Sequence, residues 1–133
     1  PVTLVQADGI LVASPTGSTA YSLSAGGPIL FPTIPGIVFT PICPHSLSFR
    51  PILFPDSSHI TLQVPAEARA SAWASVDGRN QTELKAGDKV VASTSKFPMP
   101  IISFRSAARD FFEHLNTKLH WNLREVQKPL TKL

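Results

Sequence analysis

Cysteine is almost missing from this chain: Cys43 stands alone. A lone thiol excludes an internal disulfide and a cysteine-rich zinc site, and it makes a reducing compartment the easier assignment. Charge is also scarce, at 16% of residues with a net charge of +3. The basic residues gather after Lys85 without forming a long block of like charge, so nucleic acid is not an expected partner. No apolar run approaches the roughly 20 residues that a membrane span requires, and no signal or transit segment is visible. A membrane partner is therefore not expected either, and the location read from the sequence is cytoplasmic, with a mitochondrial one as the alternative. A P-loop is excluded because no lysine follows a glycine-rich turn. The four histidines, His45, His59, His114 and His120, fall into no ligand spacing.

With 133 residues, 43% of them hydrophobic, the chain has the length and composition of one globular domain. It opens on Pro1 and its sole methionine is Met99, which leads us to expect a processed product or a piece of a longer protein.

Eight of the thirteen prolines lie between Pro28 and Pro65, and a long helix is improbable there because each proline removes a backbone donor. Short strands are expected at Ile37 to Thr40 and Ile52 to Phe54, with loops at Pro41 to Arg50 and Pro55 to Ser58. Ile60, Leu62 and Val64 alternate with Thr61 and Gln63, the pattern of a half-buried strand. Ser71 to Val76 repeats that rhythm through Ala72, Ala74 and Val76, and runs into Asp77-Gly78, a hairpin dipeptide. A second turn is expected at Ala86-Gly87-Asp88, followed by strands at Lys89 to Ser93 and Ile101 to Arg105. The period then changes. Ala107, Phe111, Leu115 and Leu119 recur every four residues, and Phe112 widens the stripe, which predicts one amphipathic helix from Ala107 to Leu119. The fold class is mainly β, an antiparallel β-sandwich-like domain with one short helix in its N-terminal half and one amphipathic C-terminal helix. Residues 1–121 form the domain in this reading, and the polar tail 122–133 is expected to be mobile.

The segment from Ala7 to Gly27, ADGILVASPTGSTAYSLSAGG, carries the chemistry. Ile10 to Ala13 suit a buried strand, and Pro15-Thr16-Gly17 breaks it where a turn is required. Thr16 or Ser18 is placed to cap the following helix, whose first amides and hydroxyls are equally able to meet a polar ligand. Asp8 precedes the strand, where a carboxylate matches a carboxamide that offers two N–H donors; Asp-Gly is also a common turn dipeptide. Tyr21 has a ring that can stack on a base or ribose, although a core aromatic is the plainer reading. Cys43 lies two residues from His45, but Pro44 between them and the lack of an orienting group favour a packing cysteine over a nucleophile.

PTGSTAYSLSAGG, with Asp8-Gly9 upstream, resembles the second signature of the NAD kinases (ATP-NAD and NADH kinases). TPICPHSLSFRP from Thr40 to Pro51 and SVDG from Ser75 to Gly78 follow in the family's order. The resemblance covers roughly the first 105 residues and concerns the C-terminal domain only. Position 14, often threonine in that signature, is Ser14. The resemblance implies that Thr19, Ala20, Tyr21 and Ser24 line a dinucleotide pocket with Asp8, and that Asp77 and Gly78 approach the nucleotide. It implies NAD as substrate, ATP as phosphoryl donor, Mg²⁺ or another divalent metal as cofactor, and a homo-oligomer as the assembled state. It also implies an N-terminal α/β domain with a Gly-Gly-Asp-Gly motif, of which this chain has only Ala7-Asp8-Gly9 and Val76-Asp77-Gly78. The expected function is the NAD-binding and assembly domain of an enzyme that phosphorylates the adenosine ribose 2′-hydroxyl of NAD. The chain alone is expected to bind weakly and catalyse little, with no catalytic residue assigned to it. The alternatives are a non-catalytic β oligomerisation module and a relative of the diacylglycerol and sphingosine kinases.

Overall fold

The computed structural model describes residues 1–124. It contains two compact units, Pro1–Lys96 and Phe97–Leu133. The tail expected to be mobile lies, from residue 125 onward, outside the described residues.

The first unit is built on a three-stranded antiparallel sheet in the order β1 (Gly9–Ala13), β2 (Gly36–Ile42), β3 (Ile52–Pro55). β2 is the middle strand, and Gly36 to Pro41 are all buried, which is why Ile37, Val38 and Phe39 read as a continuous apolar run instead of an alternation. Register places Leu11 of β1 opposite Thr40, and Phe39 between Val12 and Ile52. The Phe39 ring meets those of Phe49 at 6.1 Å and Phe54 at 6.3 Å, separations at which aromatic pairs attract beyond their area burial. β2 extends through Pro41, expected to open a loop. β3 pairs only with Gly36 to Phe39, so Pro41 has one strand neighbour and its missing N–H is tolerated there, as on a sheet edge.

Two antiparallel ribbons complete this unit. β4 (His59–Gln63) pairs with β7 (Lys89–Ser93), and β5 (Ala72–Val76) pairs with β6 (Arg79–Leu84). The alternation seen at Ile60, Leu62 and Val64 is present, with these residues half-buried and Thr61 and Gln63 exposed. In β5 only Ala74 is half-buried; Ala72 and Val76 face solvent, so that alternation marked a strand without marking a core. Asp77 (φ 50) and Gly78 (φ 70) form the two-residue hairpin turn, both in the left-handed region that a type I′ turn demands. The turn at Ala86-Gly87-Asp88 is closed by the Lys85 amide donating to the Asp88 carboxylate at 2.8 Å, with Gly87 at φ 90.

Among its described residues the second unit contains one helix, α2 (Ala107–Leu119), at the bounds its periodicity predicts. Ser106 caps it by accepting from the Arg109 amide. His120, left-handed at φ 50, ends it, and the Trp121 amide returns to the Leu115 carbonyl at 3.1 Å. Leu115 is buried and Phe111 half-buried. Ile101–Arg105, expected to be a strand, is not one. A strand exists by pairing with a neighbour, and this apolar stretch finds none among the described residues. Among the described residues, seven strands in antiparallel sheets with two α-helices make the mainly β architecture expected from the sequence. Among the described residues no helix is long and apolar enough to cross a membrane.

Candidate functional site

β1 and β2 are adjacent in the sheet, yet the connection between them is long and returns over it. It consists of a 3₁₀ turn at Thr16–Thr19, the single-turn helix α1 (Tyr21–Ser24) and an extended stretch to Gly36. The hydroxyls of this connection divide into two sets with different work.

The buried set holds the connection down. Ser18 is fully buried; its hydroxyl donates to the Pro15 carbonyl at 2.6 Å and accepts from the Leu30 amide at 2.9 Å. Ser22 and Thr40, both buried, share a hydrogen bond of 2.9 Å between side-chain oxygens. Gly27 closes the cluster by donating its amide to the Ser22 carbonyl at 2.7 Å. A Cβ at position 27 would lie 2.3 Å from Ser22 Oγ, 2.7 Å from the Ser22 carbonyl oxygen and 2.9 Å from Thr40 Oγ1, so only glycine fits. Among the described residues no buried side-chain polar atom lacks a partner, as a desolvated polar cluster requires.

The outward set is exposed or half-buried. Ser14 and Thr16 share a hydrogen bond of 3.1 Å, the Gly17 amide donates to Ser14 Oγ at 3.3 Å, and Thr19 donates to the Thr16 carbonyl. Neither Thr16 nor Ser18 caps a helix, contrary to expectation: no side chain caps the 3₁₀ turn or α1. Ser14 accepts from the Gly17 amide, and the Pro15 carbonyl and the Leu30 amide claim the Ser18 hydroxyl. Ala20, at φ −95 and ψ −132, separates the two short helical pieces. Ala20, Tyr21 and Ser24 are exposed and Thr19 is half-buried. Tyr21 is 58% exposed and is not the core aromatic that composition alone favours. Thr19, Ala20, Tyr21 and Ser24 therefore lie on one short connection, with Ser18 anchored just before them and Ser22 anchored between Tyr21 and Ser24.

Asp8 stands at the entry to β1, exposed, its amide donating to the Ile42 carbonyl at 3.0 Å. Its carboxylate has no hydrogen bond or ion pair among the described residues. Leu11, three residues further along, stands opposite Thr40 in the register. Asp77 and Gly78 sit at the tip of the β5–β6 hairpin, and no hydrogen bond or ion pair ties them to α1 or Asp8 among the described residues. Cys43 is exposed and left-handed at φ 47; the packing role expected of it is not present. An open cleft of about 330 Å³ lies between Thr3, Leu4 and Gln6 and the loop carrying His45, Ser46, Ser48 and Phe49. It contains none of the residues expected to bind the nucleotide, although His45 and the segment from Thr40 to Pro51 contribute to its wall; the backbone bond from the His45 amide to the Gln6 carbonyl that joins its walls has no sequence signal.

A strand, a hydroxyl-rich turn and a single-turn helix presenting an exposed tyrosine, set in a mainly β frame, form a polar surface on the first unit. Comparison with known proteins gives the chain its class. The chain belongs to the family described as the ATP-NAD kinase C-terminal domain, which matches residues 1–104. It is 49% identical over 132 residues to the ATP-NADH kinase YEF1 of Saccharomyces cerevisiae, covering 99% of this chain and 26% of that protein. It is 45% identical over 132 residues to the NAD(+) kinase of the same yeast, covering 99% of this chain and 24% of that protein. The chain thus spans about a quarter of the length of these relatives. In structure it is similar to the yeast NADH kinase complexed with NADH, with a TM-score of 0.77 and 37% identity over 98% of this chain and 39% of that one. An NAD kinase of Archaeoglobus fulgidus in complex with ATP is similar at a TM-score of 0.73 and 25% identity, over 86% of this chain and 43% of that one.

Proposed function

We propose that this chain is the dinucleotide-binding part of a kinase that transfers the γ-phosphoryl group of ATP to the adenosine ribose 2′-hydroxyl of NAD. The observation that carries this reading is its similarity, over nearly the whole chain, to a yeast kinase solved with NADH. The dinucleotide lies along β1 in this proposal. Thr19, Ala20, Tyr21 and Ser24 receive it on one side, Tyr21 by stacking and the hydroxyls by hydrogen bonds. Asp8 accepts from its carboxamide N–H groups, and Asp77 accepts from a ribose hydroxyl where Gly78 leaves space.

The reaction forms a bond from the ribose 2′-oxygen to the γ-phosphorus and breaks the bond from that phosphorus to the β–γ bridging oxygen. ADP leaves, and the hydroxyl proton must pass to a base. The chain presents no P-loop lysine to grip the phosphates. Among the described residues no three His, Cys, Asp or Glu side chains converge to hold a metal, so the divalent ion and the base are assigned to no residue of this chain. In this reading they come from the portion of the enzyme that the relatives have beyond the matched length, and this chain binds and orients the acceptor.

An assembly role belongs to the same proposal, as a homo-oligomer, because Trp73 at 65% and Val76 at 72% exposure leave apolar surface on β5. The test is phosphorylation of NAD by the full-length polypeptide carrying this chain. NADP formed from NAD and ATP in a coupled assay supports the reading; a folded protein that makes none overturns it.

A further inference from the structure

α1 has four residues and no capping side chain, and a single turn has no stability of its own in water. Something else must fix the direction in which Tyr21 and Ser24 point. Between those two residues stands Ser22, and among the described residues the one side-chain hydrogen bond that ties α1 to the sheet is Ser22 Oγ to Thr40 Oγ1. Thr40 is anchored in the middle of the most buried strand, opposite Leu11. Gly27 permits this contact and adds a second hold through its amide to the Ser22 carbonyl. Among the described residues no buried side-chain oxygen of this cluster lacks a hydrogen-bond partner.

The geometry points to Ser22 and Thr40 as positioning residues: a buried hydroxyl pair that sets the pose of the ligand-facing residues of α1 without itself touching the ligand. The assignment rests on the dinucleotide reading above. It also makes a demand that a general contribution to stability does not. Removing one partner leaves the other hydroxyl buried and unpaired, which destabilises, whereas replacing both with apolar groups of similar shape is nearly neutral for stability. Pose, unlike stability, is lost in both cases.

The experiment compares Ser22→Ala, Thr40→Val, the double variant and Thr40→Ser in the full-length polypeptide, with melting curves and steady-state kinetics on NAD and ATP. The double variant is expected to melt near the wild type and still to show KM for NAD raised about fivefold to tenfold, the loss of about one net hydrogen bond. The rise falls on KM for NAD more than on kcat, and KM for ATP stays put. Thr40→Ser, which keeps the hydroxyl, restores KM for NAD. A double variant with wild-type KM for NAD overturns the assignment alone, and so does a KM that merely follows the melting temperature across the four variants. A wild-type protein that makes no NADP overturns the functional reading and this assignment with it.

Discussion

Ser22 of α1 and Thr40 of β2 share a buried hydrogen bond of 2.9 Å, eighteen residues apart in the chain. Through it a turn too short to stand alone is fixed to the central strand. The site's geometry is a property of the sheet as much as of the sequence segment that carries it.

Gly27→Ala places a methyl group within 2.3 Å of Ser22 Oγ. The neighbours are a backbone carbonyl and two paired hydroxyls, none of which yields cheaply. Overpacking of this kind costs about 1–3 kcal/mol, read as a lowered denaturant midpoint at unchanged slope. The same variant should lose NAD affinity, measured by calorimetric titration, because the methyl group displaces Ser22 from Thr40.

Tyr21 is largely solvent-exposed, so Tyr21→Ala should change stability by no more than about 0.5 kcal/mol. With its ring on the dinucleotide, NAD affinity should fall about fivefold to thirtyfold, the equivalent of about 1–2 kcal/mol. Asp8→Asn should likewise leave the melting curve in place and weaken NAD binding. Equal affinity in either variant removes that residue from the site.

Asp77 separates turn chemistry from ligand chemistry. Asparagine is at home in the left-handed conformation at φ 50, so Asp77→Asn keeps the β5–β6 hairpin and the melting temperature. It should still weaken NAD binding if the carboxylate accepts a ribose hydroxyl. Gly78→Ala is expected to cost about 1 kcal/mol at φ 70, a strain penalty present with or without ligand.

In the second unit, Ser106→Ala removes the cap of α2 and should cost about 1 kcal/mol, read in helical circular dichroism on heating. The Arg105–Glu113 ion pair, 2.8 Å long but with both side chains about half exposed, should contribute less than about 1 kcal/mol and fade with salt.

Local signals in the sequence were sufficient where the determinant is itself local. The Asp77-Gly78 turn, the alternation of Ile60, Leu62 and Val64, and the four-residue spacing of α2 each appear where the residues indicate. They failed where a distant neighbour decides. Six consecutive positions from Ser14 to Thr19 hold four hydroxyls, equivalent on paper. Only the folded connection distinguishes Ser18, whose hydroxyl the Pro15 carbonyl and the Leu30 amide consume, from Thr19, which is left half-open. Ile101–Arg105 has the composition of a strand and lacks a described partner. Thr19, Ala20, Tyr21 and Ser24 were singled out through the resemblance of PTGSTAYSLSAGG to a known signature, and periodicity alone does not mark them. The pairing of Ser22 with Thr40 had no signal in either sequence segment.

Within the first unit, every buried residue lies between Ser18 and Pro41, while the two-stranded ribbons contain none. Opening reactions should therefore be ranked. The ribbons exchange their amides through low-energy fluctuations, and the floor beneath α1 exchanges only when the unit unfolds globally. A ligand seated on that floor is coupled to the whole cooperative transition, so each tenfold excess over its dissociation constant raises the unfolding free energy by about 1.4 kcal/mol.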